Sequence, residues 1–167
     1  MPSMTSAELL AYLGRLGLET ETVEHPPLHT VEESQALRGE IPGAHTKNLF
    51  VKDKKDNVFL ITAKEDTPVN LKHIHQHVEG SGRVSFCKPD LMMELLGVTP
   101  GSVTVFGLMN DTGRRVRFVL DEALSAHELV NAHPLVNTAT TTLAYADLLT
   151  FVRATGHEPR VLPLANL

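Results

Sequence analysis

Two neighbouring apolar runs constrain the fold of this chain more than any other feature. The runs NLFVKD and VFLITA, at residues 48–53 and 58–63, are separated by the polar turn KKDN at 54–57. Strand-like runs joined by a short polar turn are typical of an antiparallel hairpin. The sequence therefore predicts a hairpin over residues 48–63.

Helices and further strands are predicted along the rest of the chain. Apolar spacing and end signals predict helices at residues 5–17, 30–37, 69–78, 89–97 and 144–156. Strand patterns occur at residues 21–25, 83–87, 138–143 and, on either side of the turn NDTG, across 102–121. Because hairpins join several neighbouring strands, the pattern favours an α+β domain over a doubly wound parallel fold. We expect a mixed, largely antiparallel central sheet with helices packed around it.

Length and composition predict one intracellular domain. A chain of 167 residues is about one domain's worth, so we expect residues 1–167 to form a single unit. The lone Cys87, in the strand-like run RVSFC, cannot form an internal disulfide and is predicted to be a small core residue. The first residues resemble no signal peptide, and no apolar run approaches the roughly 20 residues that cross a bilayer. We expect a cytoplasmic protein with no membrane partner.

The charge balance limits the kinds of nucleic-acid binding that the chain can support. Its net charge is −5 with neutral histidines. A protein that coats long stretches of nucleic acid is normally basic overall. The charge does not exclude a protein that grips only the end of a nucleic acid through a few local cations.

A Lys-Asn pair stands at the start of the predicted hairpin. Lys47 and Asn48 immediately precede the apolar run, where a strand normally opens with a turn residue. A lysine in such a place is usually only solvated. If a ligand binds at this strand start, Lys47 is the first candidate to hold it.

The histidines suggest a metal site, but their spacing does not support one. On a helix, His73 and His77 would share one face at i, i+4. No HExxH motif is present, and no acidic residue is placed to complete a site. The apolar positions Leu71, Ile74 and Val78 instead put these histidines on the solvated face, so no metal is predicted.

Two loops could contribute to catalysis. The turn TPGSVT, with Gly101 and Ser102, offers backbone N–H groups that could hold an oxyanion or orient a water, although a plain loop with Gly101 at positive φ explains it equally well. No GxSxG nucleophile motif is present. His133 precedes Pro134, which favours an extended backbone where a predicted helix gives way to a strand. It could position a substrate, or simply bond a carbonyl.

Taken in order along the chain, these segments are similar to one family. The stretches EHPPLHTVEE, PGAHTKNLFVKDKKDNVFLIT, LGVTPGSVTVFGLMND and HPLVNTATTTLAYADLLTFVRATGHEP resemble the prolyl-tRNA editing family, the freestanding relatives of the editing domain inserted in bacterial prolyl-tRNA synthetases. The segments HTKNLF and TPGSVT look most like the branch that deacylates alanine mischarged on tRNA(Pro). Related branches act on cysteine, or on serine and threonine. The family's glycine loop usually reads Gly-x-x-x-Pro, whereas the segment from Gly101 ends in Val105.

The resemblance implies hydrolysis of the ester that joins an amino acid to the terminal adenosine of tRNA. It implies no cofactor, because the ester is already activated and needs mainly orientation and electrostatic stabilisation. The tRNA acceptor end would be the partner, with transient association with prolyl-tRNA synthetase. The implied catalytic residues are Lys47 on phosphate or ribose oxygens, Gly101 and Ser102 lining the aminoacyl pocket, and His133 as a positioning residue. The implied substrate-binding residues are Thr46, Asn48 and Val103, with Lys52, Lys54 and Lys55 for outer phosphates.

Two alternatives remain open on the sequence. One is a binding module of the same fold that holds tRNA or a synthetase without catalysis. The other is a metal-dependent hydrolase that uses the histidine cluster.

Overall fold

The structure of the protein is a computed structural model, which describes residues 4–27, Ala36 and residues 41–167. The helix predicted at residues 30–37 lies, apart from Ala36, outside these residues. The strands within them are β1 (Thr20–Glu24), β2 (Ala44–Lys52), β3 (Val58–Lys64), β4 (Ser85–Phe86), β5 (Val116–Asp121), β6 (Leu129–Ala132), β7 (Ala139–Ala144) and β8 (Arg160–Leu162). They form an eight-stranded sheet with the order β1-β7-β6-β2-β3-β5-β8, and β4 pairs with β2 beside this path.

The sheet is mixed, and the predicted hairpin is its centre. β2 and β3 pair antiparallel, with Thr46 opposite Lys64 and Lys52 opposite Val58. The pairs β1–β7, β2–β4 and β6–β7 are also antiparallel, whereas β2–β6, β3–β5 and β5–β8 are parallel. The predicted α+β class with a mixed, largely antiparallel sheet is confirmed.

Three helices lie at predicted places because their ends carry local signals. In α1 (Ser6–Arg15), Thr5 and Glu8 form a capping box. In α2 (Pro89–Leu96), Pro89 occupies the first turn and Gly97, at φ +69°, ends the helix. The third, α3 (Tyr145–Ala154), ends two residues before Gly156, which has φ +88°.

The predicted helix at residues 69–78 is wrong. The structure has only a 3₁₀ turn at Ile74–Gln76. Ile74 and Val78 are buried as expected, but a turn places them as well as a helix does. The segment is short and rich in histidine and β-branched residues, which have low helix propensity, so little favours a helix over the turn.

The predicted strand at the start of 102–121 is also wrong. Residues Val105–Asn110 form a 3₁₀ helix, capped by the Thr104 side chain, which accepts from the Phe106 N–H. Val105, Phe106 and Leu108 are fully buried, and a Cβ on Gly107 would lie 2.9 Å from Cβ of Leu96 in α2. A short buried run of this kind cannot be told from a strand by periodicity. Only the second half, β5, is a strand.

Sequence patterns missed β6 and β8. Each is short, and each pairs in parallel with a strand far away in sequence. Consequently His133 follows the strand β6, and not a helix as predicted.

The sheet separates two apolar cores. Helices α1, α2 and α3 contribute to the first core, with Leu9, Leu96 and Phe151 among its fully buried side chains. The second core, on the opposite face, contains Val51, Phe59, Ile61, Ala63, Ile74, Val78, Val119 and Leu164. Cys87 is buried in the first core as predicted, and burial raises the pKa of its thiol to about 11. Among the described residues, no helix is both long and apolar enough to cross a membrane.

Candidate functional site

One edge of β2 is open halfway along its length. On that edge β2 pairs with β6 only at Ala44 and His45, and with β4 only at Val51 and Lys52. Between these pairings, residues 46–49 pair with no described strand on this edge; on the other edge they pair with β3. We call this free edge, together with the loops at residues 100–103 and 133–138, the notch.

Lys47 and His133 each follow the last pairing of β2 with β6. The parallel register pairs His45 with Asn131, and Lys47 and His133 come two residues later on their respective segments. β6 ends at Ala132, and His133 therefore leaves the sheet beside the free edge of β2. Two residues that are far apart in sequence are thus brought to one opening.

Lys47 carries a positive charge that no described carboxylate neutralises directly. Its side chain is half-buried and projects to the face of the second core, because alternate residues of a strand point to opposite faces. Among the described residues, no carboxylate oxygen lies within ion-pair distance of its ammonium. The pKa of the exposed Asp66 is lowered mainly by its hydrogen bond with Lys64 and only weakly by the charge of Lys47. The ammonium can therefore meet an anionic ligand.

Thr46 and Asn48 project to the opposite face, that of the first core. The Oγ1 of Thr46 donates to the carbonyl of Asn131 at 2.7 Å, which ties β2 to β6 at the rim of the notch. The Oδ1 of Asn48 accepts from the buried hydroxyl of Thr62 at 2.6 Å. This bond fixes the Asn48 amide group, and its NH₂ group donates to no other described residue. The Lys-Asn pair thus presents a cation on one face and an amide on the other.

The glycine loop forms a short 3₁₀ turn at Pro100–Ser102. Ser102 is buried, and its N–H donates to the carbonyl of Thr99 at 2.9 Å. The Ser102 backbone amide is therefore already hydrogen-bonded within the loop, and the predicted role of Ser102 in lining the aminoacyl pocket stays a prediction. The N–H groups of Gly101 and Val103 donate to no described residue, and these two remain the candidate donors of the loop.

Gly101 is exposed and is not required by the backbone. It does not adopt positive φ, and a Cβ built on it would meet only Nδ2 of Asn137, at 3.5 Å. That distance is an ordinary van der Waals contact. The plain-loop explanation, in which Gly101 serves a positive φ, is therefore wrong. Absence of a side chain here keeps space open between the glycine loop and the loop at 133–138.

His133 is fixed by hydrogen bonds. Its Nδ1 lies 3.1 Å from the carbonyl of Ala139. A carbonyl only accepts, so Nδ1 carries a proton and donates. In the neutral ring Nε2 is then an acceptor. The histidine is half-buried, so it is suited to accept a hydrogen bond from a bound amine, hydroxyl or water.

Thr104 joins the glycine loop to the His133 segment. Its fully buried Oγ1 donates to the carbonyl of His133 at 2.6 Å. Val105, which stands where the resembling family usually has proline, is the first residue of the following 3₁₀ helix and is fully buried. Proline is tolerated at such a first position. The Thr104 bond thus restrains the loop without a proline ring.

Sequence patterns missed three polar residues that build the rim of the notch. Thr104 lies in a segment whose pattern predicts a strand. Asn131 is buried in β6, where its Nδ2 donates to the carbonyl of Pro42 at 2.9 Å and its Oδ1 accepts from Thr142. His25, whose ring centre lies 6.5 Å from that of His133, bonds Thr140 through Nε2 at 2.9 Å. A buried asparagine within the short apolar segment LVNA was the one signal available.

The described residues contain no group of three or more histidines, cysteines and acids that could hold a metal ion. The segment with His73 and His77 is no α-helix, so these two residues do not share a helical face. The absence of a metal from the mechanism stays a prediction.

The predicted outer cations lie away from the notch. Lys52 ends β2, and Lys54 and Lys55 lie in the hairpin turn, five to eight residues beyond Lys47. At about 3.3 Å per residue, this places them at least roughly 16 Å along the strand. Lys52 also faces Asp56 at 3.5 Å. Lys52, Lys54 and Lys55 are therefore not neighbours of Lys47, contrary to the expectation from the sequence.

Comparisons with known proteins agree on one family. The model of the aminoacyl-tRNA editing domain matches residues 25–151. A mouse protein, prolyl-tRNA synthetase associated domain-containing protein 1, is 44% identical over 160 residues, which cover 93% of this chain and 94% of the relative. The prolyl-tRNA editing protein ProX of Acetoanaerobium sticklandii is 33% identical, over 93% of this chain and 95% of its own.

A solved structure shares the fold. It is described as that of a candidate trans-editing enzyme for prolyl tRNA synthetase, and it superposes with a TM-score of 0.71 at 23% identity, covering 96% of this chain and 98% of that one. At this identity the likeness establishes the architecture alone.

Proposed function

This chain belongs to the aminoacyl-tRNA editing domain family, and on that premise we propose that it is a trans-editing deacylase that removes alanine from mischarged tRNA(Pro). The observation that supports the proposal is the notch, where the free edge of β2 with Lys47 and Asn48 lies beside the end of β6, and where Thr104 ties the following residue, His133, to the glycine loop. Each of these groups has a role in hydrolysing an aminoacyl ester.

Lys47 would hold the anionic end of the substrate. Its ammonium faces no described carboxylate at ion-pair distance, and a compact charge on a flexible stem suits a phosphate or ribose oxygen. Asn48, fixed by Thr62, would offer its NH₂ group on the other side of the same strand. Together they would hold the terminal adenosine so that the ester lies between the two loops.

The two loops would orient the ester and a water molecule. The free N–H groups of Gly101 and Val103 can donate to the carbonyl oxygen as negative charge develops on it. With Nδ1 bonded to Ala139, His133 can accept through Nε2 from the substrate or the water. Since an aminoacyl ester is already activated, positioning and electrostatic stabilisation supply the required acceleration, and the substrate's own ribose hydroxyl can assist the water.

Size selection would protect the correct product. A synthetase pocket built for proline cannot fully reject alanine, because missing methylenes change binding by only about 1–3 kcal/mol. A second, smaller pocket admits alanine and excludes the proline ring. The exposed Gly101 leaves room for a small side chain beside Asn137, which is the kind of space this selection needs.

The partners follow from the reaction. The acceptor end of tRNA would be the substrate, and transient association with prolyl-tRNA synthetase would deliver it. We place this activity in the cytoplasm, where charged tRNA is used. The net charge of −5 is compatible with contact limited to a few phosphates.

A deacylation panel tests the proposal. Purified protein is mixed with tRNA(Pro) charged separately with alanine, serine, cysteine and proline, and the loss of each ester is followed over time. We expect rapid loss of alanine and no loss of proline above the spontaneous rate. Preferential loss of serine or cysteine would assign another amino acid to the same site. If folded protein binds the tRNA and leaves every ester intact, it is a binding module and the deacylase proposal fails.

A further inference from the structure

A second, positively charged opening lies at the β8 edge of the sheet. β8 pairs with β5 only from Val119 onward, so the first residues of β5 border a cleft whose other side is the segment 156–160. The cleft has a volume of about 690 Å³. Arg114, Arg117 and Arg160 line it, and we call it the arginine cleft.

Arg114 is held in place by the backbone around it. A Cβ on Gly156 would lie only 2.3 Å from Nε of Arg114, so the guanidinium rests directly on this glycine. Both residues adopt positive φ, +53° for Arg114 and +88° for Gly156. The guanidinium of Arg114 forms no ion pair and donates no hydrogen bond to any described residue. A strained, exposed arginine packed on a glycine presents its donors to an external ligand.

The remaining charges leave the arginine cleft positive. Arg117 lies over the ring of Phe59, at 5.6 Å, and donates to the Asn57 side chain at 3.3 Å. Neither of the two carboxylates that line the cleft is free. Glu79 accepts two hydrogen bonds from Arg160, at 2.6 and 3.1 Å, and Glu158 faces Arg153 at 3.7 Å.

We propose that the arginine cleft binds a backbone phosphate of the RNA whose acceptor end is held at the notch. This inference rests on the proposed function. β5, which carries Arg117, is two strands from β2 in the sheet order, or about 10 Å at roughly 4.8 Å per strand. Through Phe59, Arg117 is level with Val51, so it also lies roughly 13 Å further along the strands than Lys47. The two openings are thus on the order of 16 Å apart, and one RNA molecule can reach both. Planar guanidinium groups bind phosphate oxygens in pairs, and Arg114 and Arg117 supply two such groups without a carboxylate partner.

Binding of uncharged tRNA(Pro) tests the proposal independently of catalysis. Fluorescence anisotropy gives Kd for the wild type and for the variant that combines Arg114→Gln with Arg117→Gln, over a series of salt concentrations. We expect the double variant to bind at least tenfold more weakly. We also expect the slope of log K against log salt to become shallower by about 1 for each phosphate that the variant no longer binds.

Arg115→Gln is the matched control. It removes one positive charge, against two in the double variant, from the residue next to Arg114, but Arg115 lines a different groove and faces Glu94 at 3.9 Å. We expect its Kd to stay within twofold of the wild-type value, and its salt slope to match that of the wild type within error. Circular dichroism and urea unfolding verify that all variants are folded.

The outcomes separate this proposal from the proposed function. If tRNA binding depends on the two arginines but the protein deacylates no substrate, the arginine-cleft proposal is supported and the deacylase proposal fails. Active deacylation with unchanged Kd and salt slope in the double variant overturns the arginine cleft alone. Calorimetric titration with inorganic phosphate is the last arm. If the double variant loses phosphate binding yet binds tRNA as the wild type does, the cleft serves a free phosphate compound and the RNA assignment is wrong.

Discussion

The hydroxyl of Thr104 donates a 2.6 Å hydrogen bond to the main-chain carbonyl of His133. This one bond joins the glycine loop to the end of β6. The same carbonyl also accepts from the N–H of Leu135 at 3.0 Å, and Leu135 itself has φ +70°. The spacing between the two loops of the notch therefore depends on a buried hydroxyl and a strained turn.

Thr104→Val should loosen the notch without emptying the core, because valine has nearly the same shape. The loss of two hydrogen bonds, one to the His133 carbonyl and one from the Phe106 N–H, should lower the free energy of unfolding by about 1–3 kcal/mol, measured by urea titration. The displaced loops should lower kcat/KM for Ala-tRNA(Pro) by at least roughly tenfold, since small misplacements in a site are costly.

Thr104→Ser is the control for this prediction. Serine keeps the hydroxyl and removes only a methyl group, so it should retain most of the activity that valine loses. Equal kcat/KM for the valine variant and the wild type would show that the bond does not set the geometry of the site.

Gly101→Ala should leave stability unchanged and reduce activity. The new Cβ would meet only Asn137, at 3.5 Å, so we expect the free energy of unfolding to change by less than about 0.5 kcal/mol. The methyl group would occupy space reserved for the substrate. The rate for alanine should fall, and the rate for serine, which is larger, should fall further.

Gly107→Ala is the contrasting variant. There the Cβ would lie 2.9 Å from Cβ and 3.2 Å from the carbonyl oxygen of Leu96, so the variant should lose about 1–3 kcal/mol of stability. A Gly101→Ala variant that is equally destabilised would mean that Gly101 serves the fold.

Lys47→Ala should reduce deacylation strongly in a folded protein. The side chain is half-buried at an open strand edge, and no described carboxylate depends on it for an ion pair. If it holds the substrate's anionic end in the transition state, kcat/KM should fall roughly 100-fold, or about 2.7 kcal/mol. Single-turnover deacylation of Ala-tRNA(Pro) measures this.

Two controls accompany Lys47→Ala. Lys64→Ala removes a charge from the neighbouring strand, where the ammonium is already bound by Asp66 at 2.8 Å, and should change kcat/KM less than twofold. Lys47→Arg should recover part of the activity because it keeps the charge. An unchanged rate in Lys47→Ala would exclude this residue from the mechanism.

Local signals predicted the parts of the fold that local interactions determine. The hairpin of β2 and β3 needs only a short turn, and the helices begin and end at residues whose caps are readable in the sequence, such as Thr5 and Gly97. Lys47 and Asn48 stand out for a similar reason, because Lys47 occupies a place where a strand normally opens with a turn residue.

Non-local pairing determined what the sequence could not show. β6 joins β2 across 86 residues, between His45 and Asn131, and nothing local in LVNA reports this partner. The role of Thr104 likewise depends on a carbonyl 29 residues away. The apolar run after Thr104 predicts a strand because a short, continuously apolar segment does not show the period of a helix. The candidate site therefore combines residues that the local sequence indicates, such as Lys47, with residues such as Thr104 whose contacts depend on the tertiary fold.

The carboxylate of Asp53 organises the hairpin turn. It accepts from the N–H groups of Lys55 and Asn57 at 2.9 Å each, from Nδ2 of Asn57 at 2.9 Å, and from the N–H of Ser81 at 2.8 Å. Burial alone would raise the pKa of Asp53, but the hydrogen bonds from Ser81, Asn57 and Lys55 outweigh it and hold the pKa at about 2. The turn is thus stabilised by an ionised side chain.

Acid should weaken the protein through this group. Because the folded pKa is below the unfolded value of 3.8, the contribution is fully present above about pH 4 and is lost as the pH falls towards about 2. Asp53→Asn should lower the free energy of unfolding at pH 7 by about 1–3 kcal/mol and flatten its decline between these pH values, as followed by urea unfolding at each pH.

Asp56→Asn is the matched control. Asp56 is exposed in the same turn at φ +61°, a conformation that asparagine accepts, and its ion pair with Lys52 is worth little at the surface. If both variants keep the wild-type acid profile, the acid sensitivity of the fold lies in other carboxylates, and Asp53 contributes no more than its exposed neighbour.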